Sequence, residues 1–357
     1  MECLRLHSAR GRHKESGSGL LARGSIVKRV VFDRVGSPSE VLRLEDDVPA
    51  PQPKRGEVLV RMLASPVNPS DLMFIAGKYG LKPPLPATPG FEGVGVIEAT
   101  GGGFLGWLRK GKRVAVINDR IGNWGEYTVT SARQVVPVPD ALSDEQAACF
   151  FVNPATALAM TQDVLKVPRG AWLLQSAAGG ELGKMVIRLG YKFAFRTINV
   201  VRRREQVEEL KKLGADHVIV ESDGPIPEQL RKLVPDGVRY AIDPVGGETG
   251  SQVIAALSQG GRCLLYGSLS DDAVSVHPRH FIGNDLRVEG FWLGAWAKKQ
   301  RILTMLKLFR RMRALMSEGV LQTQFASTYP LEDVKQAVEH AAAPGKGGKV
   351  LLRIGVR

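Results

Sequence analysis

Cysteine is scarce in this chain. There are three in 357 residues, Cys3, Cys149 and Cys263, each far from the others. That spacing excludes a cysteine-clustered zinc module and leaves no disulfide framework, which suits a reducing compartment such as the cytoplasm. Long apolar runs are also missing. No stretch reaches the ~20 residues of a membrane-spanning helix, and the first residues lack the apolar core of a secretory signal. There is no G-x-S-x-G elbow, and no cysteine pairs with a histidine, so nucleophilic acyl transfer has no support. His277 and His280 (HPRH) lack a third ligand, and Pro278 interrupts a regular helical presentation. They read as surface histidines, and no metal site is assigned. Acidic residues are the scarcer sign, 36 against 49 Lys and Arg, for a net charge of +13. The cations are spread along the chain and no nucleic-acid motif accompanies them. They point to acidic small molecules or an acidic partner, with part of the charge only solubilising.

The length exceeds a single core, so two domains are expected. Residues 1–25 are rich in Arg, Ser and Gly without a periodic apolar face. They read as a disordered extension or, alternatively, as a transit peptide that would place the protein in the mitochondrial matrix. From Val27 to about Val138, short β runs (KRVVF, EVLVRML, GVGVIEA) alternate with Pro-rich loops, giving an antiparallel, barrel-like domain over residues 26–150. SDEQAACFFVNPATALAMTQDVL reads as one helix with Ser143 as its N-cap. Strands and helices then alternate over residues 151–297: AWLLQS, LGKMVIRLG, RTINVV, EQVEELKKLG, HVIV, PEQLRKLV, VRYAIDPVGG and GRCLLYGSL. Alternation of this kind builds a doubly wound parallel sheet, an α/β fold. Residues 298–357 supply a long helix from Lys298 to about Ser317, a helix near Leu331 to Ala342, and the strand KVLLRI. Residues 318–357 are expected to return to the first domain.

The helix Lys298–Ser317 carries Ile302, Met305, Phe309, Met312 and Met316 on one face, with Lys299, Arg301, Lys307, Arg310 and Arg311 largely elsewhere. It is either a domain-packing helix with a solvated face or a basic surface for an acidic partner.

In QSAAGGELGKM a strand runs into a glycine turn and a helix. Leu182, Met185, Val186 and Leu189 recur at i, i+3, i+4 and i+7, so the helix has a sheet-facing stripe. Free N–H groups and the helix dipole at such a turn suit a pyrophosphate, which makes Gly179, Gly180, Glu181, Leu182 and Gly183 candidates for a dinucleotide. The string is G-G-E-L-G, not G-x-G-x-x-G, and Glu181 brings a carboxylate toward the expected phosphates. A P-loop is excluded, because Ala178 stands at the upstream glycine position and Met185 at the Ser/Thr position. About twenty residues on, the second strand ends in Arg202, Arg203 and Arg204. An acidic residue there would accept the ribose 2′-hydroxyl of NAD, whereas guanidinium forks match the 2′-phosphate of NADPH. The alternative for each arginine is a solvated charge run opening the next helix.

The order of domains resembles the medium-chain dehydrogenase/reductase superfamily from Val27 onward, which implies a GroES-like β-barrel catalytic domain and a Rossmann domain. Zinc-dependent members carry a cysteine and a G-H-E histidine. Here SPVNPSD (Ser65 to Asp71) and PGFEGVG (Pro89 to Gly95) occupy those segments, with Phe91 in the histidine's place. VNPSDLMFIAGKYG, KYGLKPPLP, FFVNPATA, RTINVVRRRE, LLYGSL and GFWLGAW are similar to the zinc-free 2-enoyl thioester reductases, and the first of these is shared in part with quinone oxidoreductases. The resemblance implies NADPH as hydride donor, a thioester of coenzyme A or of an acyl carrier protein as substrate, a homodimer, and a place in fatty acid synthesis. It implies that Tyr79 assists at the thioester carbonyl and that Asn68 orders the pocket, although Asn68 also suits an Asx turn before Pro69. Asn153 matches a nicotinamide-side asparagine or caps a helix. Tyr266, Gly267, Ser268, Leu269, Phe291, Trp292, Leu293 and Gly294 match cofactor-lining segments, although Phe291, Trp292 and Trp296 also suit a core or a subunit interface. Lys349 matches a further cofactor lysine. Glu181 departs from relatives that carry glycine there. A quinone or enone reductase, in which Tyr79 would be dispensable, is the first alternative. A non-catalytic NADPH-binding protein is the second.

Overall fold

The structure, a computed structural model, describes residues 25–118 and 122–355. Apart from Ser25, the extension discussed above therefore lies outside the described residues.

The first domain is built on the strand Glu57–Pro66, which is buried along nearly its whole length. One edge pairs antiparallel with Glu92–Thr100; the other pairs with Tyr127–Ser131 along its first half and with Lys349–Arg353 at its end. Val58, Val60 and Met62, spaced by two, share a closed apolar cluster with Val114 and Val116, as the two-residue period of a strand dictates. Leu63, Val94 and Ala115 join a larger core that also holds the helices of the second domain, so the two domains share one apolar seam. The C-terminal strands Phe325–Pro330 and Lys349–Arg353 pair with each other and extend this first sheet.

The second domain is a six-stranded sheet, parallel throughout. In chain order its strands are Trp172–Gln175, Arg196–Val201, His217–Val220, Val238–Asp243, Leu257–Leu265 and Arg287–Gly290, and in space they run three, two, one, four, five, six. This is the doubly wound dinucleotide-binding order, with its switch point between the first and fourth strands.

Two helices differ from expectation. The segment after Ser143 forms Asp144–Ala148, then Val152–Leu158 running into a π-helical turn, Ala159–Val164. Ser143 Oγ does cap the first, accepting from Gln146 N at 3.3 Å. The chain breaks at Phe151 because Glu92 Oε2 takes the N–H groups of Phe151 and Val152, at 3.1 and 2.8 Å, and so opens a fresh helix. The long C-terminal helix begins at Ile302, not Lys298; a separate short helix, Leu293–Lys298, precedes it and crosses the expected boundary at residue 297. Leu308, Met312, Leu315 and Met316 are buried, but Ile302 is 70% exposed, so the apolar face is covered only in its second half. Pro278 starts the helix Pro278–Asn284 where it was expected to prevent one, because a missing N–H costs nothing at a first helical position.

Candidate active site

Four of the segments singled out in the sequence follow the carboxyl ends of four parallel strands: 179–183, 202–204, 266–269 and 291–294. Open α/β sheets present ligands there. At the switch point Ser176 Oγ donates to Asp243 Oδ1, and Asp243 also accepts from the N–H of Val245 and Gly246, which shapes the DPVGG turn. Tyr266 N and Leu269 N donate to Asp243 O and Pro244 O, laying the 266–269 loop over that turn.

Gly180 is the N-cap of helix Glu181–Phe193 and supplies no side-chain cap of its own. A Cβ at Gly183 would stand 2.5 Å from Ala178 O, so only glycine permits this approach of helix to strand. A Cβ at Gly179 would meet Gln206 Nε2 at 2.0 Å. Gln206 therefore lies directly on the turn, and the residue patterns did not single it out. Glu181 does not face the turn as expected. Its Oε2 accepts from Gln324 N at 2.6 Å and its Oε1 lies 3.5 Å from Lys184 Nζ, so the carboxylate ties the helix to the C-terminal segment. A turn with free N–H groups, closed in by glycine and relieved of its carboxylate, fits a pyrophosphate.

The three arginines are exposed and do not act alike. Arg204 pairs with Asp223 at the end of the third strand. Arg203 reaches across to the loop before Lys349, where a Cβ on Gly345 would be 2.1 Å from its Nη1. Arg202 has no hydrogen bond or ion pair among the described residues. Lys346, on that same loop, has its pKa held down to about 8 by burial and then by Lys349. Its ammonium donates to Ala341 O, and the sequence patterns left it out.

Past the carboxyl end of the sixth strand, Tyr79 meets Trp292. Trp292 Nε1 donates to Tyr79 Oη at 2.9 Å, and the rings meet edge-on at 6.0 Å. Tyr79 also leans on Phe91, at 5.1 Å, the residue in the histidine position. Burial raises the Tyr79 pKa above the ordinary phenol value, so the group stays a proton donor. The expected cluster 291–294 divides here: Phe291 is buried in the core, packed against Trp296, while Trp292 turns to Tyr79. Lys78 and Asp271, 2.8 Å apart, join the two domains next to this pair.

Beneath lies a buried polar cluster. Asn68 Nδ2 donates to Glu92 Oε1 at 3.0 Å, and Asn68 Oδ1 accepts from Lys349 Nζ at 2.7 Å. Asp71 accepts from the N–H of Asn68 and Phe91 at 2.8 and 2.9 Å. Burial pushes the Asp71 carboxyl up to about 7 and raises Glu92 as well. The structure thus brings Asn68 and Lys349 together, bonded to each other, and adds Asp71 and Glu92. Glu92 could have been found from its place as a carboxylate heading the apolar run GVGVI. Asn153 sits in the first turn of Val152–Leu158, behind the N-cap Phe151, so it is not a cap. Its amide makes no hydrogen bond to other described residues and is free for a ligand.

Comparison with known proteins agrees with this architecture. The description "Alcohol dehydrogenase GroES-like domain" matches residues 54–140 and "Zinc-binding dehydrogenase" residues 182–311. The human mitochondrial enoyl-acyl-carrier-protein reductase is 34% identical over 339 residues, covering 91% of this chain and 88% of the relative. The chain belongs to the enoyl-acyl-carrier-protein reductase family. A candidate NADPH:quinone reductase from Bacillus thuringiensis superposes with a TM-score of 0.86 at 35% identity, over 92% of this chain and 99% of that one. A solved complex of Etr1p with NADP and crotonyl-CoA superposes with a TM-score of 0.80 at 25% identity, over 92% and 100%. Despite the wording of the second family description, no group of three or more His, Cys, Asp or Glu side chains among the described residues is arranged to hold a metal ion.

Proposed function

We propose that the protein reduces the 2,3 double bond of trans-2-enoyl thioesters, carried on coenzyme A or an acyl carrier protein, with NADPH as reductant and no zinc, in fatty acid synthesis. The observation that carries this reading is the Tyr79–Trp292 pair. It sets a neutral phenol from the first domain just past the carboxyl end of the sixth strand of the second, at the same edge of the parallel sheet as the glycine turn.

NADPH, when bound, supplies the hydride that adds to Cβ of the thioester. Gly179, Gly180 and the N–H groups opening helix Glu181–Phe193 would hold its pyrophosphate, and Arg202 and Arg203 its 2′-phosphate. The 266–269 and 291–294 segments, with Asn153, would line its other end. As negative charge builds on the carbonyl oxygen, a positioned phenol stabilises it. The Trp292 N–H occupies an acceptor site on Tyr79 Oη, which leaves the phenolic proton to point at that oxygen or to pass to Cα. Asn68 bridges Lys349 and Glu92, accepting from the first and donating to the second; we assign Asn68 and Lys349 to shaping the pocket floor. The homodimer and the substrate's carrier belong to this same reading. The curated relatives are named mitochondrial, and we adopt that compartment in place of the cytoplasmic one.

A quinone acceptor is the second reading, favoured by the 35% identity to the Bacillus thuringiensis protein. Mass spectrometry of a trans-2-enoyl-CoA incubated with NADPH and the full chain tests the proposal. Appearance of the saturated acyl-CoA is expected; an unreacted thioester beside a reduced quinone would replace the first reading with the second.

A further inference from the structure

The end of the barrel remote from the candidate active site carries an unpartnered apolar helix. Strand Glu57–Pro66 joins the two ends. Glu57 O accepts from Gly101 N at one, and Pro66 leads into Asn68 at the other. Its 10 residues span about 30 Å at about 3.3 Å per residue. Three turns meet at the remote end. Gly56 N donates to Gly102 O, Ala132 N to Gly56 O, and Arg109 Nη1 to Ala132 O and Val135 O.

Helix Phe104–Arg109 sits on these turns through Gly106, whose Cβ position is 2.2 Å from Thr100 Oγ1, and through Arg109. With its inner face given to those two residues, the helix turns its four large apolar side chains outward. Phe104 is 73% exposed, Leu105 36%, Trp107 70% and Leu108 46%, and the two rings pack together at 6.4 Å. Tied down on both sides, the helix cannot fold them in. Lys54, Arg55, Lys110, Lys112 and Arg133, all exposed, lie just after the helix or on the turns that carry it. Glu57, the acidic residue of these turns, is engaged by Lys54 N.

We infer that helix Phe104–Arg109 docks the protein on an anionic phospholipid surface. Aromatic side chains favour the bilayer interface, and basic residues nearby add attraction to an anionic leaflet. Five exposed cations on the adjoining turns, beside an exposed Phe–Trp–Leu tip, match both requirements. The attachment is peripheral, since no helix among the described residues is long and apolar enough to cross a membrane. It does not depend on the proposed reaction, because no group of the candidate active site lies on this helix.

Flotation of the full chain with vesicles of phosphatidylcholine alone, or mixed with phosphatidylglycerol, tests the inference. The wild type should float with the mixed vesicles, be released by salt, and show Trp emission quenched by brominated lipid. Phe104→Ser with Trp107→Ser should abolish flotation while keeping the wild-type unfolding temperature and turnover. Lys110→Glu with Lys112→Glu should weaken binding about tenfold or more, and it serves if the serine variant fails to fold. Wild type that stays with the unfloated fraction, or variants that float as well as wild type, would overturn it. So would a fall in mass of the serine variant by light scattering with no vesicle binding by either form, which would assign the patch to a second copy of the chain.

Discussion

Tyr79 and its partners separate chemistry from packing. Trp292→Phe keeps an aromatic ring against Tyr79 but removes the N–H that orients its hydroxyl. A hydrogen bond of this kind is worth about 1 kcal/mol, so kcat should fall several-fold, to about tenfold, with KM little changed. Steady-state kinetics on the enoyl thioester would show it; a change confined to KM would make Trp292 a binding surface only. Asp71 yields a pH prediction. Its carboxyl is raised from 3.8 to about 7, chiefly by burial, with Glu92 adding to the rise while the Asn68 and Phe91 N–H groups and Lys349 oppose it. A carboxyl raised on folding binds its proton more tightly in the native state, so its contribution to stability is greatest at low pH. That contribution is lost as pH climbs from about 4 to about 7. Asp71→Asn should flatten the dependence of Tm on pH across this window, and an unchanged slope would refute the assignment. Arginine is a third case. Arg202→Ser with Arg203→Ser should weaken NADPH far more than NADH, because only NADPH carries the 2′-phosphate. Equal losses by titration would remove these residues from the phosphate.

Among the elements, the glycine-turn helix carries the clearest prediction. Gly183→Ala places a methyl against the backbone of Ala178, which cannot yield as a side chain can. Overpacking of this sort costs about 1–3 kcal/mol, so Tm should drop and NADPH binding weaken together; a variant with wild-type Tm would contradict the tight approach. This helix was legible in the sequence because its stripe of Leu182, Met185, Val186 and Leu189 is strictly periodic. So were the strands ending in Gln175 and Val201, whose apolar residues are buried on both faces. Elements shaped by distant partners were not legible. The break before Val152 is imposed by Glu92, some sixty positions earlier in the chain. Likewise, the turning of Glu181 away from the phosphates depends on Gln324, which no local pattern relates to it. The arginine run was visible as chemistry, but its division among Asp223, Gly345 and open space was not.

For the whole molecule, the sixth strand Arg287–Gly290 is an edge of the parallel sheet, with its outer side unpaired by any other strand among the described residues. Edge strands of this kind extend sheets between copies. On the proposed homodimer, light scattering should give a mass near twice the 38.8 kDa of the chain; a monomeric mass would leave this edge to another purpose. The two domains meet in one apolar seam, and Tyr79 reaches Trp292 only because that seam holds them in register. On the proposed function, this juxtaposition reduces an enoyl thioester. The direct measurement is NADPH oxidation with a trans-2-enoyl-CoA and with a simple quinone, for wild type and Tyr79→Phe. Thioester turnover should fall about a hundredfold or more in the variant, the usual scale for a lost proton donor. Quinone turnover with an inert thioester, unchanged by the substitution, would contradict the proposed function and return Tyr79 to packing.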